Sequence, residues 1–178
     1  MQKFITEKIY SAYHFILAFT AALWYGFPSR KMTVIGITGT KGKTSTVELL
    51  HEILAQSGEK VASSSSLRFR IGDAVMSNDL KMTMPGRFFL QRFLYRARHA
   101  GCRYVVLEVT SQGIMQHRQR FIKFDTAVLT NVAPEHIEAH GGFENYVAAK
   151  RKLFRAVAPD GAIVLNRDDT QSQSFADA

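Results

Sequence analysis

Residues 32–50 constrain the architecture of this chain more than any other stretch. Met32-Thr-Val-Ile leads into Gly36-Ile-Thr-Gly-Thr-Lys-Gly-Lys-Thr44, and Ser45-Thr-Val-Glu-Leu-Leu50 follows. A β-branched apolar run suits a strand. The turn after it is spaced by glycines and ends in Gly-Lys-Thr, where a helical pattern begins. Strand, glycine loop and helix in that order make a phosphate-binding loop. Glycines let backbone N–H groups close around phosphate oxygens, and the helix start adds its positive dipole end. The amides of Gly39, Thr40, Lys41, Gly42, Lys43, Thr44 and Ser45 are the expected nucleotide-phosphate cradle. Lys43 reaches the β/γ-phosphates and the Thr44 hydroxyl is placed for Mg²⁺. The usual spacing puts a glycine where this chain has Ile37, so the loop is a variant with glycines at 36, 39 and 42.

The pattern downstream alternates. Strands are expected at 33–37, 60–63, 104–109, 126–130 and 162–165, and helices at 44–56, 86–99 and 143–157. Such alternation predicts an α/β fold, a mostly parallel sheet with helices on both faces. Gly58 and Gly101 stand as helix stops. The tail from Asp168 is polar and shows no closing element. The domain reading is an apolar N-terminal helix with its linker over 1–30, and a nucleotide-binding domain over 31–178 that lacks further sheet. A chain of 178 residues with 46% hydrophobic and 21% charged residues reads as globular. The net charge of +8 suits polyanionic ligands. No basic stripe with interleaved aromatics is present, so nucleotide phosphate is favoured over nucleic acid. Cys102 is the single cysteine, which excludes an intramolecular disulfide and fits a reducing compartment, the cytoplasm.

Residues 9–27 contain no Asp, Glu, Lys or Arg. Three readings stay open: a helix buried on the domain or on a partner, an interfacial helix at the inner face of the membrane, or a span. Lys3 and Lys8 on one side and Arg30 and Lys31 on the other set no orientation. Lacking an obvious burial partner, the segment is expected to make the chain sticky, and its removal to raise soluble yield.

Ligands of an open parallel sheet sit beyond the carboxyl ends of its strands. Glu108 lies at such an end and can face Thr44 across a Mg²⁺ ion. Asn131 and His136 follow the next strand, and His136 is a possible metal ligand. His136-Ile-Glu-Ala-His140 departs from the zinc-protease helix, because Ile137 stands where the glutamate belongs. Lys150 lies in an apolar helical stripe with Phe143, Tyr146, Val147, Leu153, Phe154 and Val157. Burial there favours the neutral amine, which can take up CO₂ as a carbamate; the alternative is a lysine whose head snorkels to water.

Taken together, four segments resemble the Mur ligase family. They are the loop Gly36–Thr44, Glu108-Val-Thr-Ser-Gln-Gly-Ile-Met-Gln-His-Arg118, Thr130-Asn-Val-Ala-Pro-Glu-His-Ile-Glu-Ala-His-Gly141, and Glu144-Asn-Tyr-Val-Ala-Ala-Lys-Arg-Lys-Leu-Phe154. The Gln-His-Arg element resembles the branch adding the third residue of the peptide. The resemblance implies an ATP-dependent ligase of peptidoglycan synthesis that joins an amino acid to a UDP-N-acetylmuramoyl peptide through an acyl phosphate. It implies Lys43, His136 and Lys150 as catalytic residues. It places one Mg²⁺ at Thr44 and Glu108 and a second at His136 and carbamylated Lys150. Thr83, Thr110, Gln116 and Arg118 would contact the UDP-muramoyl substrate. Alternatives are a folylpolyglutamate synthase-like enzyme, another Mur ligase, or a non-catalytic, membrane-associated ATP-binding module. Three positions depart from the family: Lys41 where asparagine is usual, Gln112 for histidine, and Glu135 for aspartate. The resemblance covers a central domain only, so the chain on its own is expected not to ligate.

Overall fold

The computed structural model describes residues 2–135 and 137–177. Its centre is a seven-stranded sheet. In chain order the strands are β1 (Thr33–Thr38), β2 (Val61–Ser64), β3 (Arg68–Ile71), β4 (Ala74–Ser77), β5 (Tyr104–Glu108), β6 (Phe124–Leu129) and β7 (Val157–Leu165). Spatially they run β4-β3-β2-β5-β1-β6-β7. Pairing from β2 through β7 is parallel, while β3 and β4 form an antiparallel edge hairpin. The order β5-β1-β6 sets the carboxyl ends of three strands side by side. Ile37, just before the loop, is level with both Glu108 and Val128.

Successive strand residues point to opposite faces, and the chain uses both. Val105 and Leu107 join one core with Val34, Leu94, Phe124 and Leu153. Val106 joins the other with Ile37, Val47 and Val61. The second core is roofed by α2 (Lys43–Gln56). The first takes α3 (Arg87–His99) and α6 (Phe143–Phe154). Fully apolar strands of this kind belong to sheets covered on both sides. Gly58 ends α2 and Gly101 ends α3 at left-handed φ values of 87° and 78°, as their positions in the sequence predict. At Gly36 a β-carbon would come within 2.8 Å of the Phe124 ring, so the glycine lets that ring pack flat over β1.

Three expectations are corrected. No strand was expected between 60–63 and 104–109, yet the hairpin β3–β4 lies there; its strands are four residues long, too short to show a period. Val157 was assigned to a helix. The helix ends at Phe154, and Val157 opens β7, level with Phe124 on β6. The tail does close the fold: α7 (Ser172–Ala176) seats buried Phe175 against Phe154, ring centroids 5.1 Å apart. One apolar residue in a polar tail carries no periodic signal.

The N-terminal segment is a helix, α1 (Gln2–Trp24). Ala18, Ala21 and Ala22 are buried, and α1 lies on α3. Tyr25 stacks near Tyr95 of α3 at 5.6 Å. Behind it, buried Ser29 accepts a hydrogen bond from the Lys123 amide at 3.0 Å. Among the described residues no helix is long and apolar enough to cross a membrane, which removes the spanning reading. One face of α1 therefore has a partner within the chain. Deleting residues 1–30 is expected to lower the melting temperature by roughly 5 °C or more, given about 2–4 °C per kcal/mol for a chain of this size. A melting curve unchanged by the deletion would show the helix to be an appendage.

Candidate functional site

The loop leaving β1 is held by the next strand. The Thr40 amide donates to the Asn131 carbonyl at 2.8 Å and the Lys41 amide to Asn131 Oδ1 at 2.9 Å. The Lys41 carbonyl accepts from Thr130 Oγ1 at 2.7 Å and from Asn131 Nδ2 at 3.0 Å. Gly39 sits so close to β6 that a β-carbon would fall 1.9 Å from Thr130 Oγ1. Only glycine fits there. Gly42, at φ 80°, starts α2 without a side-chain cap. The amides of that first turn have no intrahelical acceptors, which leaves them for an anion.

A cavity of about 490 Å³ opens over the loop, a size suited to a small-molecule ligand. Residues 39–45 form its floor, with Glu108, Thr83, Thr110, Tyr146 and Lys150 around it. Thr44 Oγ1 donates to Glu108 Oε2 at 3.0 Å. The same carboxylate oxygen accepts from the Ser66 amide at 2.9 Å and the Ser66 hydroxyl at 3.1 Å. That hydroxyl also bonds Thr83 Oγ1 at 2.9 Å. Ser66 was not singled out in the sequence, where it ends a run of serines. Tyr146 was read only as part of an apolar stripe, yet its hydroxyl lies 3.0 Å from Thr40 Oγ1.

Two lysines converge on one carbonyl. Lys43 Nζ donates to Gly39 O at 3.0 Å and to Thr40 O at 2.9 Å. Lys150 Nζ donates to Gly39 O at 2.8 Å from the other side. Lys150 is 1% exposed, so its head does not snorkel to water. Its amine lies 4.4 Å from the centre of the Tyr146 ring. Burial first, and then the Lys43 charge, push its pKa down to about 7, against a weaker opposing pull from Glu135. Burial also lowers Lys43, with Glu108 and Glu135 opposing. A buried amine so held is neutral for much of the time at pH 7.

The other predicted residues divide. Thr83 and Thr110 line the cavity, and Thr110 Oγ1 caps α4 (Ser111–Met115) by accepting from the Gly113 amide at 3.1 Å. Gln116 and Arg118 lie behind it. Arg118 donates to Gln116 Oε1 at 2.7 Å and to the Met84 carbonyl, tying the turn that carries Thr83. His136 lies outside the described residues; the short helix α5 (Ile137–His140) follows it in the sequence. Lys41 and Glu135, two departures from the family pattern, form an ion pair at 3.3 Å. No cluster of three or more His, Cys, Asp or Glu able to hold a metal occurs among the described residues.

Residues 37–178 match the Mur ligase middle domain. The UDP-N-acetylmuramyl-tripeptide synthetase of Treponema pallidum is 39% identical over 143 residues, which are 79% of this chain and 26% of that protein. That of Roseiflexus sp. (strain RS-1) is 36% identical over 174 residues, 91% of this chain and 34% of that protein. The chain thus spans about a third or less of the length of these relatives. Among solved structures, a UDP-N-acetylmuramoyl-L-alanyl-D-glutamate–2,6-diaminopimelate ligase matches with a TM-score of 0.70 at 26% identity, over 82% of this chain and 29% of that one. The MurF ligase of Thermotoga maritima in complex with ADP matches with a TM-score of 0.66 over 90% of this chain and 34% of that one. At 22% identity, the second match speaks to the fold alone. Since the family model accounts for all but the first 36 residues, and the fold matches that of a solved ligase of this kind, this chain belongs to the Mur ligase middle-domain family.

Proposed function

We propose that this domain binds ATP and Mg²⁺ for a cytoplasmic ligase that joins an amino acid to a UDP-N-acetylmuramoyl peptide. The observation that carries the reading is the Thr44–Glu108 pair, 3.0 Å apart beside Lys43 and Lys150 in one cavity. A hydroxyl and a carboxylate oxygen are the hard donors that Mg²⁺ takes, and the single buried thiol, Cys102, suits a reducing compartment. Thr44 and Glu108 would hold one ion, and His136 with Lys150 a second. Held there, Mg²⁺ would supply charge neutralisation for the transferring phosphoryl group.

The chain's own groups then have defined tasks. The amides at the start of α2 orient the β- and γ-phosphates, and Lys43 turns from the loop carbonyls to the γ-phosphate. Thr83 and Thr110, supported by Gln116 and Arg118, position the muramoyl peptide so that its carboxylate lies in line. Carboxylate oxygen attacks the γ-phosphorus as the bond to ADP breaks. The incoming amine adds to the acyl carbon, phosphate leaves, and the amine's proton passes to solvent or base. The test is an assay on the longest reading frame that carries this chain. Phosphate release is expected only when ATP, the UDP-muramoyl peptide and an amino acid are all present, with an amide product by mass spectrometry. Release that ignores the muramoyl peptide, or that requires a folate in its place, would refute the assignment.

The Lys41–Glu135 pair is read as a matched exchange at the mouth of the phosphate site. Lys41→Asn alone leaves Glu135 facing the nucleotide without its cation and is expected to weaken ATP binding by roughly two- to fivefold, the range of an exposed ion pair. Lys41→Asn with Glu135→Gln, which removes the unpaired carboxylate as well, is expected to recover most of that loss. Additive losses in a double-mutant cycle would show the two positions to be independent.

A further inference from the structure

We propose that the outer face of α1 and the basic cleft beside it form a docking surface for an anionic lipid bilayer. The inference is independent of the ligase reading, since it uses none of the phosphate-site residues.

The helix is built the wrong way round for a water-facing element. Its small residues, Ala18, Ala21 and Ala22, face the domain. Its large ones face out: Ile9, Tyr13, Ile16 and Leu23 recur at helical spacing along one exposed row, flanked by Phe19 and Trp24. Ile16 and Leu23 are each 58% exposed and Trp24 is 80% exposed. An apolar row of this length on a surface marks an interaction site. Tyrosine and tryptophan within it carry a polar tip on an apolar body, the character favoured at a bilayer interface.

Charge selects the occupant. Between Lys8 and Arg30 there is no acidic residue. A cleft of about 530 Å³ adjoins the helix, lined by His117, Arg120, Lys152 and Arg155 with no carboxylate among its lining residues. Arg120, Lys152 and Arg155 make no ion pair among the described residues. The cleft is joined to the helix directly. Ser11 Oγ meets His117 Nε2 at 2.8 Å, the Arg120 guanidinium lies 5.5 Å over the Phe15 ring, and Phe121 packs on Phe15 at 5.2 Å. His117 and Phe121, which contact α1, hold left-handed backbone at φ 55° and 63°. A protein partner would meet the apolar row with apolar groups and would not require unneutralised cations next to it. An anionic bilayer supplies both, acyl chains for the row and headgroup phosphates for the cleft.

The experiment is vesicle flotation of the chain. It is expected to float with vesicles of phosphatidylglycerol and phosphatidylcholine in equal parts, weakly with pure phosphatidylcholine, and less as salt is raised. Ile16→Glu with Leu23→Glu, both exposed sites, should abolish flotation while leaving the melting curve in place. Lys152→Glu with Arg155→Glu should weaken binding to the anionic vesicles by roughly tenfold or more and remove the salt dependence. No flotation at low salt overturns the proposal. So does a dimer by light scattering that Ile16→Glu with Leu23→Glu dissolves, which would assign the row to a second copy.

Discussion

Lys43→Ala is expected to weaken binding of MgATP to this chain by at least about tenfold, or ~1.4 kcal/mol, in a calorimetric titration. The side chain already lies in the loop, bonded to the carbonyls of Gly39 and Thr40. Those carbonyls are poor company for phosphate oxygens, so the amine must exchange one set of acceptors for the other when nucleotide binds. Burial lowers its pKa, with Glu108 and Glu135 opposing. A γ-phosphate would restore its charged form. Loss of the amine removes the attraction and leaves the phosphates facing two bare carbonyls. An affinity unchanged by the substitution would remove the phosphate-loop assignment, and with it the ATP reading of the cavity.

The largest effect on catalysis is expected at Lys150. Its amine is enclosed, shares the Gly39 carbonyl with Lys43, and has a pKa of about 7. As a cation it would repel both Lys43 and a metal ion. Uptake of CO₂ by the neutral amine would form an N–C bond, release one proton, and turn the repulsion by Lys43 into attraction. In the longest reading frame that carries this chain, Lys150→Ala is expected to cut kcat by on the order of 10²–10³ without unfolding the protein. Lys150→Arg is not expected to recover it, because a guanidinium stays charged and takes up no CO₂. Isotopically labelled CO₂ should give a carbamate carbon resonance in the parent chain that both variants lack. An active Lys150→Arg variant would show that the side chain serves as a plain cation. Stability supplies a separate readout. In the folded chain, free of CO₂, this amine releases its proton near pH 7; in the unfolded chain it does so near its ordinary value of 10.5. Between those values the unfolded state holds the extra proton, so stability rises with pH across the window and lies on its low plateau beneath it. Lys150→Met should flatten most of that rise, Lys43 leaving a smaller slope of the same sign.

Residues 33–58 were legible because strand, loop and helix each announce themselves locally. β-Branched residues, three spaced glycines and a 3.6-residue apolar period need no partner to be recognised. Glu108 was legible for the same reason, as the single acid ending an apolar run. Lys150 was half legible. Its stripe is visible in the sequence, but whether its head escaped to water depended on how deeply α6 sits against the loop. Ser66 and Tyr146 were not legible as polar partners, since a serine among serines and a tyrosine among apolar residues acquire a bond only when a second segment arrives. The pairing of Lys41 with Glu135 spans strands β1 and β6 and has no signal in either segment alone.

The sequence by itself determined the order β1, α2, β2, α3, β5, β6, α6, the phosphate loop and the family, because those follow from local period, glycine placement and residue-by-residue match. Only the tertiary structure decided that α1 turns its alanines inward and its aromatic row outward, that β3 and β4 pair as an edge, that Phe175 closes the far end, and that two lysines meet at one carbonyl. Each of these is a contact between segments far apart in the chain, and its energy comes from burial and electrostatics that exist only after the sheet has brought the segments together.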